Sequence, residues 1–235
     1  MMELKPIGYV RSAVNDRKKM TTFGVPASIE ILPEYEDALL HVEKHTHIWV
    51  MAWIDRGERD LCQVVPRGGS EKHGVFAVRS PARPNPIGLT AAKLLKREGR
   101  VLHVDKLDFI DGTTVLDIKP YLAPRDLIYS AESGSLGRGN DQLASMRFQG
   151  ERFHGELNTD VELGAQLLAE FREAHGTTDG WVITVPASRP RLIDCVMGAT
   201  RASLGRGTLL LWDEDAVRFE RDGQTVLKPC RFERG

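Results

Sequence analysis

Along the first half of the chain, short apolar runs alternate with turn signals, a pattern that predicts strands rather than helices. Residues 7–10 are apolar, and 29–32 alternate as Ile29, Glu30, Ile31. Residues 33–40 open on Pro33 and carry Glu34, Glu36 and Asp37, which predicts a short helix with an acidic first turn. The run HIWVMAWI at 47–54 is unbroken after its histidine, and its length and Trp, Ile and Val content predict a buried strand. Residues 74–78 predict another strand, 89–96 a strand or a helix, and 101–105 a clean alternating strand after the Gly99-Arg100 turn. Between 107–110 and 114–118 stands Asp111-Gly112, a strong short-range hairpin signal. Many short strands without interleaved helices predict an antiparallel β-barrel or sandwich.

The pattern changes after Ala123. The segment ESGSLGRGNDQ at 132–142 is polar and glycine-rich, which predicts a linker or mobile loop over 131–150. Beyond it, Thr159-Asp160-Val161-Glu162 followed by Leu163, Leu167, Leu168 and Phe171 predicts an N-capped amphipathic helix stopped by Gly176. Residues 181–185 and 208–212 predict strands, 193–202 a helix, and 216–227 a hairpin turning at Asp222-Gly223. The expected organisation is a mainly β domain over 1–130 and a smaller α+β domain over 151–235. The pentapeptide SLGRG occurs at 135–139 and 203–207 without surrounding similarity, so it marks no repeat.

Composition narrows the class without naming it. A chain of 235 residues that is 41% hydrophobic can bury a substantial core, and its formal net charge of −1 lends no global support to nucleic-acid binding. Two local basic clusters remain, Arg17-Lys18-Lys19 with Arg11 upstream, and Lys93, Lys96, Arg97 and Arg100. Cys62, Cys195 and Cys230 form no CxxC pair, which fits a reducing cytoplasm rather than a disulfide framework. No segment reads as a signal peptide or a membrane span, so no membrane partner is expected.

Candidate chemistry concentrates at 73–89, HGVFAVRSPARPNPIGL. Pro84 and Pro86 flank Asn85 and fix two φ angles, so Arg79, Arg83 and Asn85 sit in or beside a stiff loop. A rigid turn alone would also account for it. His41, His45 and His47 lack a ligand spacing suited to a metal, and no GxSxG or GxGxxG motif is present. Carboxylates stand at Asp108, Asp111 and Asp117, of which only Asp111 is explained as a turn residue.

Four blocks then carry a resemblance: PIGYVRS at 6–12, HTHIWVMAWIDR at 45–56, GVFAVRSPARPNPIGL at 74–89 and LDFIDGTTVLDIKPYL at 107–122. In this order they resemble the TrmO family of S-adenosylmethionine-dependent tRNA methyltransferases, which are β-barrel enzymes. The resemblance implies a homodimer that binds S-adenosylmethionine and methylates the exocyclic nitrogen of threonylcarbamoyladenosine beside the tRNA anticodon, with no DNA partner and no metal. By motif, the implied cofactor residues are Asp55, Arg56, Arg79, Leu89, Asp111, Gly112, Thr113 and Thr114. Arg83 and Asn85 would reach the substrate, with Asp117, Lys119 and Tyr121 lining the same end of the barrel. The proton acceptor stays open between an aspartate and water.

The second half lacks the DPRPAYR-like block that many TrmO proteins carry there; Ser188-Arg189-Pro190-Arg191 is only a faint echo. It is distantly similar instead to an FmdE-like domain, with Glu156, Asn158 and Ala199 standing where that family has metal ligands. The missing block leaves two further readings: methyl transfer to a small molecule or another RNA, and a module that binds S-adenosylmethionine without turnover.

Overall fold

The computed structural model describes residues 3–67, 69–131 and 141–232. The chain divides into two compact units, Met1–Ile128 and Tyr129–Gly235. In the first, β1 (Gly8–Ser12), β2 (Val25–Ile31), β3 (His47–Trp53), β6 (Ile87–Glu98), β7 (Val101–Leu107) and β8 (Thr114–Pro120) close into a barrel in the order β1-β2-β7-β6-β3-β8. Every pairing in it is antiparallel. A two-residue ladder, β4 (Gln63–Val64) with β5 (His73–Gly74), stands apart from the barrel sheet.

Alternation along the strands fills the interior. Val10, Ile29, Ile48, Val50, Ala52, Ala92, Leu102 and Val115 are wholly buried in one core. Each large aliphatic side chain removed from water in this way contributes about 1.5–3 kcal/mol. Strand β6 changes partner midway: Ile87–Lys93 pairs with β3, and Leu94–Glu98 pairs with β7. Where β7 has left its side, side chains take over. Oδ1 of Asp105 accepts the Lys93 N–H at 2.7 Å, the Thr90 hydroxyl donates to Asp108, and the Arg79 guanidinium donates to the Leu89 carbonyl.

Several expectations change. Residues 74–78 are not a strand beyond Gly74. The Arg83 guanidinium donates to the carbonyls of Val75 (2.8 Å) and Val78 (3.4 Å), taking acceptors that a ladder would need. The Ala77 N–H turns back to the Gly74 carbonyl at 2.9 Å, which leaves Phe76 85% exposed. Asp111-Gly112 forms a turn but not a hairpin, because β7 and β8 are not neighbours in the barrel. The turn bonds to β1 and the residues after it: Gly112 N–H to Val10 O at 2.9 Å, and Asp111 N–H to Val14 O at 2.8 Å. Residues 33–40 form a 3-10 helix, Pro33–Leu39, followed by a shorter one, Val42–Lys44. Residues 89–96 resolve as strand.

A short helix α1 (Ala123–Asp126) ends the first unit. The second holds α2 (Gln142–His154), α3 (Thr159–His175), β9 (Val182–Pro186), α4 (Pro190–Thr200), β10 (Leu209–Trp212), β11 (Ala216–Arg221) and β12 (Gln224–Pro229). The segment expected as linker or mobile loop over 131–150 is therefore helix from Gln142 onward, capped by the Asp141 side chain on the Ala144 N–H at 2.8 Å; 132–140 lie outside the described residues. The sheet runs β10-β9-β11-β12, with β9 and β10 parallel and α4 as their crossover. Phe171 stacks on Phe219 with ring centres 3.9 Å apart, and Trp181 meets it edge-on at 5.0 Å. Asn158, placed by the distant resemblance at a ligand position, caps α3: its Oδ1 accepts the N–H groups of Asp160 and Val161, both at 3.1 Å. The Cys195 thiol, buried between α2, α3 and α4, is pushed up to about 12 by desolvation. The fold is thus a six-stranded antiparallel barrel with a smaller α+β unit.

Candidate functional site

Three segments quoted from the sequence meet at one end of the barrel. Where β3 ends, the Ile54 N–H donates to the Pro86 carbonyl at 2.8 Å and the Arg83 N–H donates to the Glu58 carbonyl at 3.0 Å. These bonds prolong the β3–β6 pairing, Trp53 opposite Ile87, into the proline loop. On the other flank of β3, Trp53 faces Thr114. Residues 54–58, 81–86 and 111–114 therefore share this end.

Local sequence explains the fit. Pro86 lets the Ile87 N–H fold back onto the Asn85 carbonyl at 2.7 Å, a tight three-residue turn that leaves the Asn85 side chain exposed. A Cβ on Gly88 would stand 2.4 Å from Cε1 of Phe109, so glycine there lets the Phe109 ring plug the barrel. Gly112 has φ near +75°, which a side chain would strain. One oxygen of Asp111, Oδ1, is used in accepting the Ser12 N–H at 3.1 Å. Thr113 is buried, its hydroxyl donating to the Ile110 carbonyl at 2.7 Å. Asp55 and Arg56 are exposed, and among the described residues neither side chain is ion-paired.

The register also assembles an outer face. Ile48, Val50 and Ala52 point inward, so Trp49, Met51 and Trp53 point outward, half-buried. Across β3 they align as rows: Ile87, Trp53 and Thr114; Leu89, Met51 and Asp117; Ala91, Trp49 and Lys119. A bulge in β8 between Val115 and Asp117 keeps Val115 and Ile118 inward while Asp117 turns out. This face was missed from the sequence because both sides of HIWVMAWI are apolar. The signal was present in the aromatic residues at alternate positions.

The predicted residues thus separate. Asp55, Arg56, Asn85, Asp111, Gly112, Thr113 and Thr114 lie at the shared end, and Leu89 lies next to it on the outer face. Arg79 and Arg83 are committed to backbone carbonyls. Lys119 and Tyr121 do not line that end: the Tyr121 N–H donates to the His47 carbonyl at 3.0 Å, and Lys119 faces Trp49, toward the opposite end of β3. The physical reason is strand length, since the seven residue steps of extended chain from Thr114 to Tyr121 span about 23 Å. Asp117 sits between, paired with Lys119 at 2.6 Å. A cavity of about 330 Å³ opens at the far end, lined by Tyr35, Leu39, His41, His45 and Asp117 among others. Outside that cavity, at the end of β6, the Glu98 carboxyl is held below its ordinary range by a hydrogen bond from Lys96. Among the described residues no group of three or more His, Cys, Asp or Glu side chains is arranged to hold a metal.

Residues 16–127 match the family model described as the tRNA-methyltransferase O N-terminal domain. Over 226 residues the chain is 37% identical to a probable S-adenosyl-L-methionine-binding protein of Archaeoglobus fulgidus, covering 91% of this chain and 62% of that relative's length. A protein of Pyrococcus abyssi with the same description is 34% identical over 173 residues, 72% of this chain and 93% of that one. The human tRNA (adenine(37)-N6)-methyltransferase is 44% identical over 94 residues, 39% of this chain and 21% of its own. A crystal structure of TrmO from P. aeruginosa shares the fold, with a TM-score of 0.51 and 21% identity over 97% of this chain and 96% of that one. On the strength of these matches, the chain belongs to the TrmO family.

Proposed function

We propose that the protein is an S-adenosylmethionine-dependent methyltransferase acting on the exocyclic nitrogen of adenosine 37 in tRNA, with threonylcarbamoyladenosine as the acceptor. The observation that carries this reading is the meeting of 54–58, 81–86 and 111–114 at one barrel end in a TrmO-family chain. The donor set suits the cofactor. The unpaired Asp55 carboxylate can accept ribose hydroxyls or an ammonium group, and the Arg56 guanidinium can answer a carboxylate. Leu89, Met51 and Trp53 offer apolar cover for an adenine ring.

S-adenosylmethionine supplies a methyl group already activated on sulfur; the protein's task is alignment and water exclusion. Arg79, through the Leu89 carbonyl, fixes the edge of β6. Arg83 fixes the loop that presents Asn85, whose amide offers a donor and an acceptor to a base. The proton released by the acceptor nitrogen passes to a carboxylate at this end or to solvent. Asp117, Lys119 and Tyr121 extend the substrate surface along β8, as suits a macromolecular partner.

The part of the outer face beyond the adenine, where Trp49 stands half-buried, supports a homodimer in which a second copy covers it. Among the described residues no helix is long and apolar enough to cross a membrane, and a tRNA substrate would be consistent with a cytoplasmic location. A second reading, binding of S-adenosylmethionine without turnover, is favoured by the description of the two archaeal relatives as binding proteins.

Incubation with methyl-labelled S-adenosylmethionine and hypomodified total tRNA tests the proposal. Label at adenosine 37 that requires the threonylcarbamoyl group supports it. Cofactor binding with no label in tRNA overturns the tRNA assignment: label in a metabolite extract then reassigns the acceptor, and no label in either favours the binding module.

A further inference from the structure

We infer that the turn carrying Arg17, Lys18 and Lys19 is where the protein grips the phosphate backbone of its RNA substrate. The inference rests on the tRNA reading above and adds the contact surface. Both basic clusters of the sequence are strings of cations, and the structure separates them: Arg17, Lys18 and Lys19 are all exposed, whereas Arg97 and Arg100 are partly buried. In the second cluster, Lys96 is paired with Glu98 at 2.7 Å, Arg97 with Glu43 at 3.6 Å and Arg100 with Glu36 at 4.0 Å. The guanidiniums of Arg97 and Arg100 are further committed to the carbonyls of Leu39 and Ile31. That cluster is largely neutralised and braces the barrel.

The first cluster is built differently. Asp16 starts a turn by accepting the Lys18 N–H on its side chain at 2.9 Å and the Lys19 N–H on its carbonyl at 3.0 Å. From the other side the Arg67 guanidinium donates to the carbonyls of Met20 (2.9 Å) and Arg17 (3.3 Å). Met20 is buried, so the turn is anchored beneath while Arg17, Lys18 and Lys19 stay exposed. Among the described residues none of these three side chains is ion-paired. Position completes the case. The turn lies in the β1–β2 connection, whose Val14 carbonyl accepts the Asp111 N–H at 2.8 Å, at the barrel end that also holds Asp55, Asn85 and Thr114. Three adjacent unpaired cations on a preorganised backbone match the spaced anionic charges of a nucleic-acid strand and add affinity without reading sequence.

The test measures binding of an unmodified tRNA transcript to the full chain across a salt series. Lys18→Glu/Lys19→Glu is compared with a matched charge reversal at the opposite barrel end, Lys44→Glu/Lys96→Glu. Thermal melting and S-adenosylmethionine affinity are followed in parallel, and Lys18→Gln/Lys19→Gln serves as a milder variant. The expected result is at least a tenfold loss for Lys18→Glu/Lys19→Glu with a salt slope shallower by about two. The far-end pair should change affinity less than threefold, cofactor affinity should hold, and Lys18→Arg/Lys19→Arg should restore binding. Equal losses from both pairs, or none from the turn while the wild type binds, would overturn this inference alone. A wild type that binds no tRNA at low salt overturns the tRNA reading and this contact with it. Binding to phosphatidylserine vesicles in place of RNA reassigns the turn to a membrane surface.

Discussion

The Ile54 N–H donates to the carbonyl of Pro86 at 2.8 Å, so the end of β3 and the proline loop move as one piece. Neither residue touches the chemistry proposed here, yet this bond sets where Asp55 stands relative to Asn85. Arg83 stiffens the same assembly from beneath through the Val75 and Val78 carbonyls.

Replacing Arg83 tests that support. Arg83→Ala removes a donor shared by two carbonyls and is expected to cost about 1–3 kcal/mol in urea denaturation. Amide exchange should accelerate at 75–80 before the rest of the barrel. Arg83→Lys should recover only part, since an ammonium cannot reproduce the guanidinium fork. Unchanged exchange in that segment would show that the loop is held by its prolines alone.

Asp111 is expected to have separable duties. Asp111→Asn keeps an oxygen for the Ser12 N–H and should retain stability, whereas Asp111→Ala should lose about 1–2 kcal/mol. If the second oxygen serves the cofactor, both variants weaken S-adenosylmethionine binding in calorimetry. Full affinity in Asp111→Asn removes the carboxylate from the cofactor set.

How far this site was legible in the sequence can be followed residue by residue. Strand β3 was legible because seven consecutive apolar residues of that composition, Ile48 to Ile54, have few alternatives. The loss of strand at 75–78 was not, since the competing donor, Arg83, acts through folded geometry rather than local propensity. Asp111-Gly112 announced a turn correctly; which strand the turn would bond to is a property of barrel order. The separation of Lys119 and Tyr121 from the site end was likewise hidden, because a linear motif does not say which way along a strand its residues lie.

In the second unit, Gly198→Ala should be costly. A Cβ there would lie 2.4 Å from Cβ of Phe153 and 3.0 Å from the Gln149 carbonyl, forcing α4 away from α2. Overpacking of this kind costs about 1–3 kcal/mol. An unshifted denaturation midpoint would mean the helices separate freely.

The thiols should react unequally. Cys62 is exposed, while burial pushes Cys195 up to about 12 and Cys230 up to about 11. At pH 8 the native protein is expected to take up one equivalent of iodoacetamide, and all three cysteines should react in denaturant. Rapid native labelling of Cys195 would contradict its packing between the helices.

Asp215 gives the second unit an acid limit. The Arg189 guanidinium beside it, bonded at 2.6 Å, holds its carboxyl below the ordinary 3.8. A lowered folded value means that the contribution is fully present above the ordinary, unfolded value and is lost as pH falls through the folded value. Wild-type stability should therefore decline more steeply below pH 4 than that of Asp215→Asn, as read from melting temperatures between pH 2.5 and 6. Parallel curves would leave the pair without a share in acid stability.

Among the described residues the barrel closes between β1 and β8 through a short ladder, the pairs Gly8 with Val115 and Tyr9 with Thr114, with the Ile7 N–H on the Val115 carbonyl at 2.9 Å beside it. Beyond them the Asp111–Thr113 turn continues the seam, with the Val10 N–H on the Thr113 carbonyl at 2.9 Å. The fastening of the cylinder and the proposed cofactor contact are therefore the same few residues. Insertions that other connections would absorb as slack would here unlatch the wall itself, and a ligand seated on Thr114 would act as a clasp across the join.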